Sequence, residues 1–281
     1  MDMLKALPPH VAKIVVERSQ GILTTDEICE YHPKYNKLLM SDGTIICPVC
    51  YREQRDAVVA KEKTEQYYKE SIEGRRQYLY EESIVSNCKL LDKGFKEFET
   101  KTSDEIHVRK RVEKLVHPIA ASEPINVYFQ GVPGCGKSHL AMGLLRNANI
   151  LAKGKRCLFV NVPSLQQRIR NSYDNPHSEE TEPKLIQKMI TADILVLDDV
   201  ASEINPLNIQ GNVSSFSERI LYAVMDARAE AKPTIITSNI PWNNLKETID
   251  PRVLSRMNYR LELVSFANID DKRVLSNFVQ K

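Results

Sequence analysis

The chain has 281 residues, 27% of them charged and 42% hydrophobic, which is the balance of a soluble protein with one large core, or one core plus a small module. Its 39 basic and 37 acidic residues leave a net charge of +2, so no basic field announces nucleic acid and any DNA contact would rest on a local patch. No apolar stretch approaches the roughly 20 residues that span a bilayer, and Lys5, His10, Lys13 and Glu17 interrupt the N-terminus where a secretory segment would be apolar; the expectation is a cytoplasmic protein with no membrane partner.

The first 50 residues hold a short apolar helix, Val11–Val16, followed by a cluster of metal-type side chains. Cys29-x-x-His32 and Cys47-x-x-Cys50 are two ligand pairs separated by fourteen residues, a spacing that suits a tetrahedral Cys₃His zinc site. Cys47-Pro48-Val49-Cys50 forms the tight knuckle and Asp42-Gly43 supplies a turn between the pairs. The alternative is three unliganded cysteines and a surface histidine. Cys88, Cys135 and Cys157 are scattered and suggest no disulfide framework. A module of this size lacks a robust core, so a metal would supply most of its folding energy, about 10–16 kcal/mol in zinc peptides.

Residues 51–85 are dense in charge and tyrosine, with no proline and a single glycine, Gly74. Good helix formers and the Glu65–Lys69 pair predict an exposed connecting helix, because apolar positions are too sparse for a packed one. From residue 86 the texture becomes α/β. Strands are expected at Asn126–Phe129, Cys157–Val162, Ile194–Leu197, Thr234–Thr237 and Arg260–Val264, with helices near 138–152, 182–191 and 215–231. That alternation predicts a five-stranded parallel sheet covered by helices on both faces. Ala201–Ser214, with its Gly, Pro and Asn residues, reads as a loop.

Gly131-Val132-Pro133-Gly134-Cys135-Gly136-Lys137-Ser138 lies between the first of these strands and its following helix, and His139 comes next. It is a full phosphate-binding P-loop pattern in the context that the pattern needs. Backbone N–H groups of the turn would face the α/β-phosphates of ATP, Lys137 the β/γ-phosphates, and the Ser138 hydroxyl would ligate Mg²⁺. Ile194-Leu195-Val196-Leu197-Asp198-Asp199 is an apolar strand that ends in two acids, at the sheet edge where ligands bind in open α/β proteins. Asp198 is the Mg²⁺-side carboxylate, and Asp199 is the group that could orient or deprotonate the attacking water. Asn239 follows the next strand and would lie beside the acids if the two strands are neighbours; an Asn that merely ends a strand in a turn is the common alternative. Arg252 and Arg256 sit at i and i+4 on a short helix, placed either for solvent or for a neighbouring subunit's nucleotide.

Taken in order, these motifs make residues 86–281 resemble the DnaC/DnaI-type helicase loaders. Supporting text includes Phe95-Lys-Glu-Phe98, Val127-Tyr-Phe-Gln-Gly131, Leu221-Tyr-Ala-Val-Met-Asp-Ala-Arg228 and Pro233-Thr-Ile-Ile-Thr-Ser-Asn239. The resemblance implies an AAA+ P-loop NTPase fold. It also implies ATP hydrolysis, a replicative hexameric DNA helicase and single-stranded DNA as partners, and self-association. It makes Asn239 the sensor 1 residue, Arg256 the arginine finger ahead of Arg252, and Arg273 the sensor 2 arginine, although Asp270-Asp-Lys-Arg273 departs from the usual aromatic-Arg text. Gln166, Arg168 and Arg170 stand where the family contacts DNA, and a solvated helix face explains them equally well. With the Cys₃His cluster the chain follows the DnaI plan: residues 1–50 a zinc-binding, helicase-docking domain, 51–85 a helical linker, and 86–281 the ATPase. An IstB-like transposition ATPase that binds duplex DNA, and an adaptor gated by nucleotide with negligible hydrolysis, are the alternatives.

Overall fold

The computed structural model describes residues 23–175, 178, 180–204 and 214–272. The expected helix Val11–Val16, most of the loop Ala201–Ser214 and Arg273 lie outside the described residues. The chain divides into two compact units between Tyr68 and Lys69.

In the first unit, β1 (Leu23–Ile28), β2 (Asn36–Leu39) and β3 (Ile45–Ile46) form an antiparallel meander. The β2–β3 turn is the one Asp42-Gly43 predicted: Gly43 takes φ +84, and the Asp42 carboxylate accepts from the Thr44 N–H at 2.9 Å. Helix α1 (Pro48–Glu70) starts within the Cys47–Cys50 knuckle, carries Cys50, and buries none of its residues. Within residues 23–68, Cys29 and Cys47 are the only buried side chains.

The connector expected over 51–85 is two helices with different surroundings. Helix α2 (Ile72–Glu82) is capped by Ser71 and belongs to the second unit, where Leu79 is completely buried and Ile84 bridges to Val160. One fully buried leucine on the helix and an isoleucine just beyond it are enough to dock it, which sparse hydrophobicity had argued against.

The second unit is built on a five-stranded parallel sheet of β4 (Asn126–Gln130), β5 (Cys157–Asn161), β6 (Ile194–Asp198), β7 (Thr234–Ser238) and β8 (Leu261–Ser265), ordered β5-β6-β7-β4-β8. All five strands were expected, within a residue or two at their ends. Alternate side chains separate to the two faces. Val127, Phe129, Phe159, Val196 and Ile235 join one core with α3 (Ser103–Lys114), α4 (Val116–Ala120) and α5 (Lys137–Leu151). Tyr128, Leu158, Val160, Leu195, Leu197 and Ile236 join the other. That second face is covered by α6 (Val162–Tyr173), α7 (Glu182–Thr191), α8 (Ser215–Arg228), α9 (Trp242–Thr248) and α10 (Pro251–Met257). No helix among the described residues is long and apolar enough to cross a membrane.

Arg228, at the end of α8, is fully buried. Its guanidinium donates to the Thr234 hydroxyl (3.0 Å) and to the carbonyls of Met189 (2.9 Å), Ala192 (2.5 Å) and Pro233 (2.7 Å). It thereby ties α7, α8 and the entries of β6 and β7 at the sheet edge opposite the strand C-termini. Burial pulls its pKa down to about 9, opposed by Asp193.

Candidate functional site

The C-terminal edge of the sheet carries a cavity of about 550 Å³ lined by Pro133, Gly134, Gly136, Lys137, Ser138, Asp198, Asp199 and Asn239, among others. The loop between β4 and α5 turns through two left-handed glycines, Gly134 (φ +78) and Gly136 (φ +99), conformations that a Cβ disfavours. Gly136 is also the cap from which α5 starts, so its first N–H groups face the loop. Lys137 opens that helix with only 6% of its surface exposed. Its ammonium donates to the carbonyls of Gly131 and Val132 and to Asn239 Oδ1, each at 2.8 Å. Burial lowers its pKa, opposed by Cys135, Asp199 and Asp198.

The two acids are held in different ways. Asp198 is 3% exposed. It accepts from the Thr237 hydroxyl at 2.7 Å and from Asn161 Nδ2 at 3.2 Å, Asn161 being its register partner on β5. Asp199 leaves the strand at φ +63, a left-handed geometry that Asp tolerates, and its N–H donates to the same Thr237 hydroxyl at 2.9 Å. Because β7 does lie beside β6, Asn239 reaches both sides: Nδ2 donates to Asp199 Oδ1 at 3.2 Å while Oδ1 accepts from Lys137. A cation, two carboxylates and a carboxamide thus converge on one cleft.

Two side chains of the loop point elsewhere. Cys135 is fully buried, and burial pushes its thiol pKa up, so it is a packing group beneath the loop. His139 lines the cavity, yet its ring is anchored to the Gly94 carbonyl (Nε2 at 2.9 Å) and lies edge-on to Phe98. Val132 is half exposed, at 52%. Arg252 and Arg256 do not line the cavity. Arg252 is exposed, paired with Asp250 at 2.8 Å and stacked on Tyr222; Arg256 is exposed and paired with Asp226 at 2.8 Å. On α6, Gln166 donates to Ser217 at 2.6 Å, Arg168 pairs with Glu180 at 2.6 Å, and Arg170 is exposed.

Sequence reasoning missed Asn161 and Thr237 as supports of the acids, and Ser86, Asn87, Lys89, Leu90 and Lys93, which complete the cavity wall. Asn161 had a local signal, since it also caps α6 by accepting from the Ser164 N–H. The 86–93 segment had none.

In the first unit, Cys29, His32, Cys47 and Cys50 bring one ligand atom each within 4.8 Å of all the others. Cys29 Sγ and Cys50 Sγ are 3.6 Å apart, Cys29 Sγ and Cys47 Sγ are each 3.8 Å from His32 Nδ1, and Cys50 Sγ is 3.2 Å from it. Tetrahedral zinc, at about 2.3 Å from sulfur and about 2.0–2.1 Å from nitrogen, gives edges of about 3.5–3.8 Å, which the Cys29–Cys50, Cys29–His32 and Cys47–His32 separations match and the Cys50–His32 separation undercuts. The remaining ring nitrogen of His32 faces Glu53 Oε1 at 3.3 Å, the outer carboxylate that fixes a metal-binding imidazole. The cluster fits a zinc-binding domain.

Comparison with known proteins follows the same outline. The family described as IstB-like ATP binding protein matches residues 49–264, more than half of the chain. The replicative helicase loader DnaC of Buchnera aphidicola (subsp. Baizongia pistaciae) is 29% identical over 130 residues, covering 46% of this chain and 48% of that protein. DnaC of Escherichia coli K12 is 26% identical over 146 residues, covering 52% and 55%. The chain thus spans about half the length of the curated relatives it matches. Among solved structures, a DnaC helicase loader superposes with a TM-score of 0.52 at 22% identity, covering 65% of this chain and 99% of that one. A DnaI structure gives 0.50 at 19%, covering 65% and 95%.

Proposed function

The chain belongs to the IstB-like ATP-binding protein family, and from that membership we propose that it is an ATP-switched loader that delivers a replicative hexameric DNA helicase onto single-stranded DNA. The observation that carries the reading is the meeting of Lys137, Asp198, Asp199 and Asn239 in one cavity, in a chain whose curated relatives are named helicase loaders. The phosphate loop takes the ATP phosphates, and Ser138 and Asp198 hold Mg²⁺. Asp199 orients the attacking water while Asn239 links it to the charge on Lys137. A second acid that is Asp rather than Glu reaches the water less well, which makes hydrolysis slow and suited to timing. Residues 1–50 dock the helicase through the Cys₃His module, 51–85 connect, and 86–281 switch. The relatives' loader names weigh against a transposition ATPase as the reading of this chain.

The direct test is to retain a replicative helicase on the purified chain and to follow its ATP-dependent transfer to circular single-stranded DNA. No retention and no transfer would sink the proposal. Asp199→Asn should cut steady-state turnover about 10²-fold or more and leave ATP affinity within about threefold; unchanged turnover removes Asp199 from the chemistry and favours an adaptor gated by nucleotide alone. Arg256 is exposed and outside its own chain's cavity, the placement required of a group offered in trans. Arg256→Ala should abolish stimulation of turnover on assembly, by up to about 10³-fold, without loss of ATP binding. Full stimulation in that variant would return Arg256 to a surface ion pair.

A further inference from the structure

We propose that Glu105 and Lys272 are a positioning pair that sets the phosphate loop from outside the nucleotide cavity, an inference that rests on the nucleotide-binding reading above. Neither residue lines the cavity. Lys272 reaches the loop through its backbone, where its N–H donates to the Gly134 carbonyl at 3.1 Å. A planar trans peptide sets its C=O and N–H in opposite directions, so fixing the Gly134 carbonyl also fixes the next N–H. That group, on Cys135, points back to the Val132 carbonyl at 3.5 Å. One backbone contact from Lys272 therefore orients the peptide from which the loop turns toward Gly136 and α5.

The Lys272 side chain holds that contact in place. Its ammonium pairs with Glu105 Oε1 at 2.7 Å, donates to the Glu99 carbonyl at 2.5 Å, and lies 4.1 Å from the centre of the Phe98 ring. Phe98 is buried and rests against the loop's other left-handed residue: a Cβ placed on Gly136 would meet its ring at 2.6 Å. The neighbouring Asp271 carboxylate occupies the space beside Gly134, 1.8 Å from where a Cβ would fall. Lys272 thus links the 98–105 segment to both left-handed glycines of the loop, to Gly134 through its backbone N–H and to Gly136 by way of Phe98.

Glu105 is suited to anchor this arrangement. Its side chain is only 8% exposed, and it is already oriented as the capping-box residue of α3, accepting from the N–H groups of Lys101 and Thr102. The Arg252–Asp250 and Arg256–Asp226 pairs are more open to solvent, their arginine side chains being 74% and 44% exposed. Loops that grip phosphate through backbone amides tolerate displacements of well under about 1 Å, so the pair acts on binding through geometry.

Two variants isolate the ion pair. Glu105→Gln keeps an acceptor for the helix cap and loses the charge. Lys272→Met keeps an apolar stem and loses the ammonium. Calorimetric titration of the full chain, well below its melting temperature, should show each variant binding MgATP and MgADP about tenfold more weakly, both nucleotides in equal proportion, because the loop grips phosphates common to both. Lys272→Arg, which retains the charge, should restore affinity to within about twofold. Wild-type affinity in Lys272→Met or Glu105→Gln overturns the positioning role. So does a loss confined to MgATP, which would assign the pair to the γ-phosphate side. A wild-type chain that binds neither nucleotide would instead overturn the nucleotide-binding reading on which the pair depends.

Discussion

Lys137→Ala should weaken MgATP binding about a hundredfold or more and abolish any DNA binding that depends on nucleotide. Hydrogen bonds to a charged group contribute about 1.5–3 kcal/mol each, and about 1.4 kcal/mol is a factor of ten in affinity. The ammonium also donates to Asn239, whose own amide donates to Asp199. Without it, less positive charge would offset Asp198 and Asp199 beside the phosphates, and repulsion would add to the lost attraction. The carbonyls of Gly131 and Val132 would lose their shared donor at the same time, so the loop itself would loosen. Equilibrium titration checks this directly. Unchanged ATP affinity would remove the loop from nucleotide binding altogether.

Zinc removal should have the other large effect, and it should be confined to the first unit. The described part of that unit has two buried side chains, and both are metal-type cysteines. Its strands are short and α1 buries nothing, so among the described residues no hydrophobic core holds the meander once the ligands separate. The free energy at stake is the binding energy of a structural zinc, about 10–16 kcal/mol in zinc-finger peptides. Chelation, or Cys47→Ser with Cys50→Ser, should therefore unfold residues 23–68, release about one zinc per chain, and eliminate helicase retention. The second unit should continue to bind MgATP. Metal analysis that finds no zinc in a chain with a folded first unit would sink this reading. Paired measurements of nucleotide affinity and helicase retention also separate the two units: each loss should occur without the other.

The parts of the site that were legible in the sequence are those whose chemistry lies along the chain. The phosphate loop is a contiguous run, and the acids mark the end of an apolar strand, so Lys137, Ser138, Asp198 and Asp199 could be placed before any fold was known. Asn239 required one further fact, that β7 neighbours β6. Thr237 required the same fact and was still missed, because a threonine in a strand reads as an ordinary β-former until it is seen shared between two acids. The wall from Ser86 to Lys93 joins the cavity only through tertiary packing, and no local pattern marks it. Helices α3 and α4 were different, since their signals were present: Thr102 and Glu105 form a capping box, and Val108 and Val112 on α3, then Val116 and Ile119 on α4, recur at helical spacing on the buried face. The docking of α2 was illegible for an energetic reason. Leu79 on the helix and Ile84 just after it supply its apolar burial, and so few apolar residues are too weak a periodic signal to distinguish a docked helix from a solvated one.

The arginine that closes the text Leu221–Arg228 has a different kind of consequence. Arg228 does not line the nucleotide cavity, and it gathers the oxygen atoms of two separate segments, 189–192 and 233–234, in the buried interior. Lysine, with three donors on a single atom, could not reproduce that fork, and any apolar residue would leave several acceptors orphaned. As a marker in sequence comparison, Arg228 therefore diagnoses architecture and is silent about chemistry. A descendant that had lost ATP would still be obliged to keep it, whereas one that had changed its architecture would be free to let it drift.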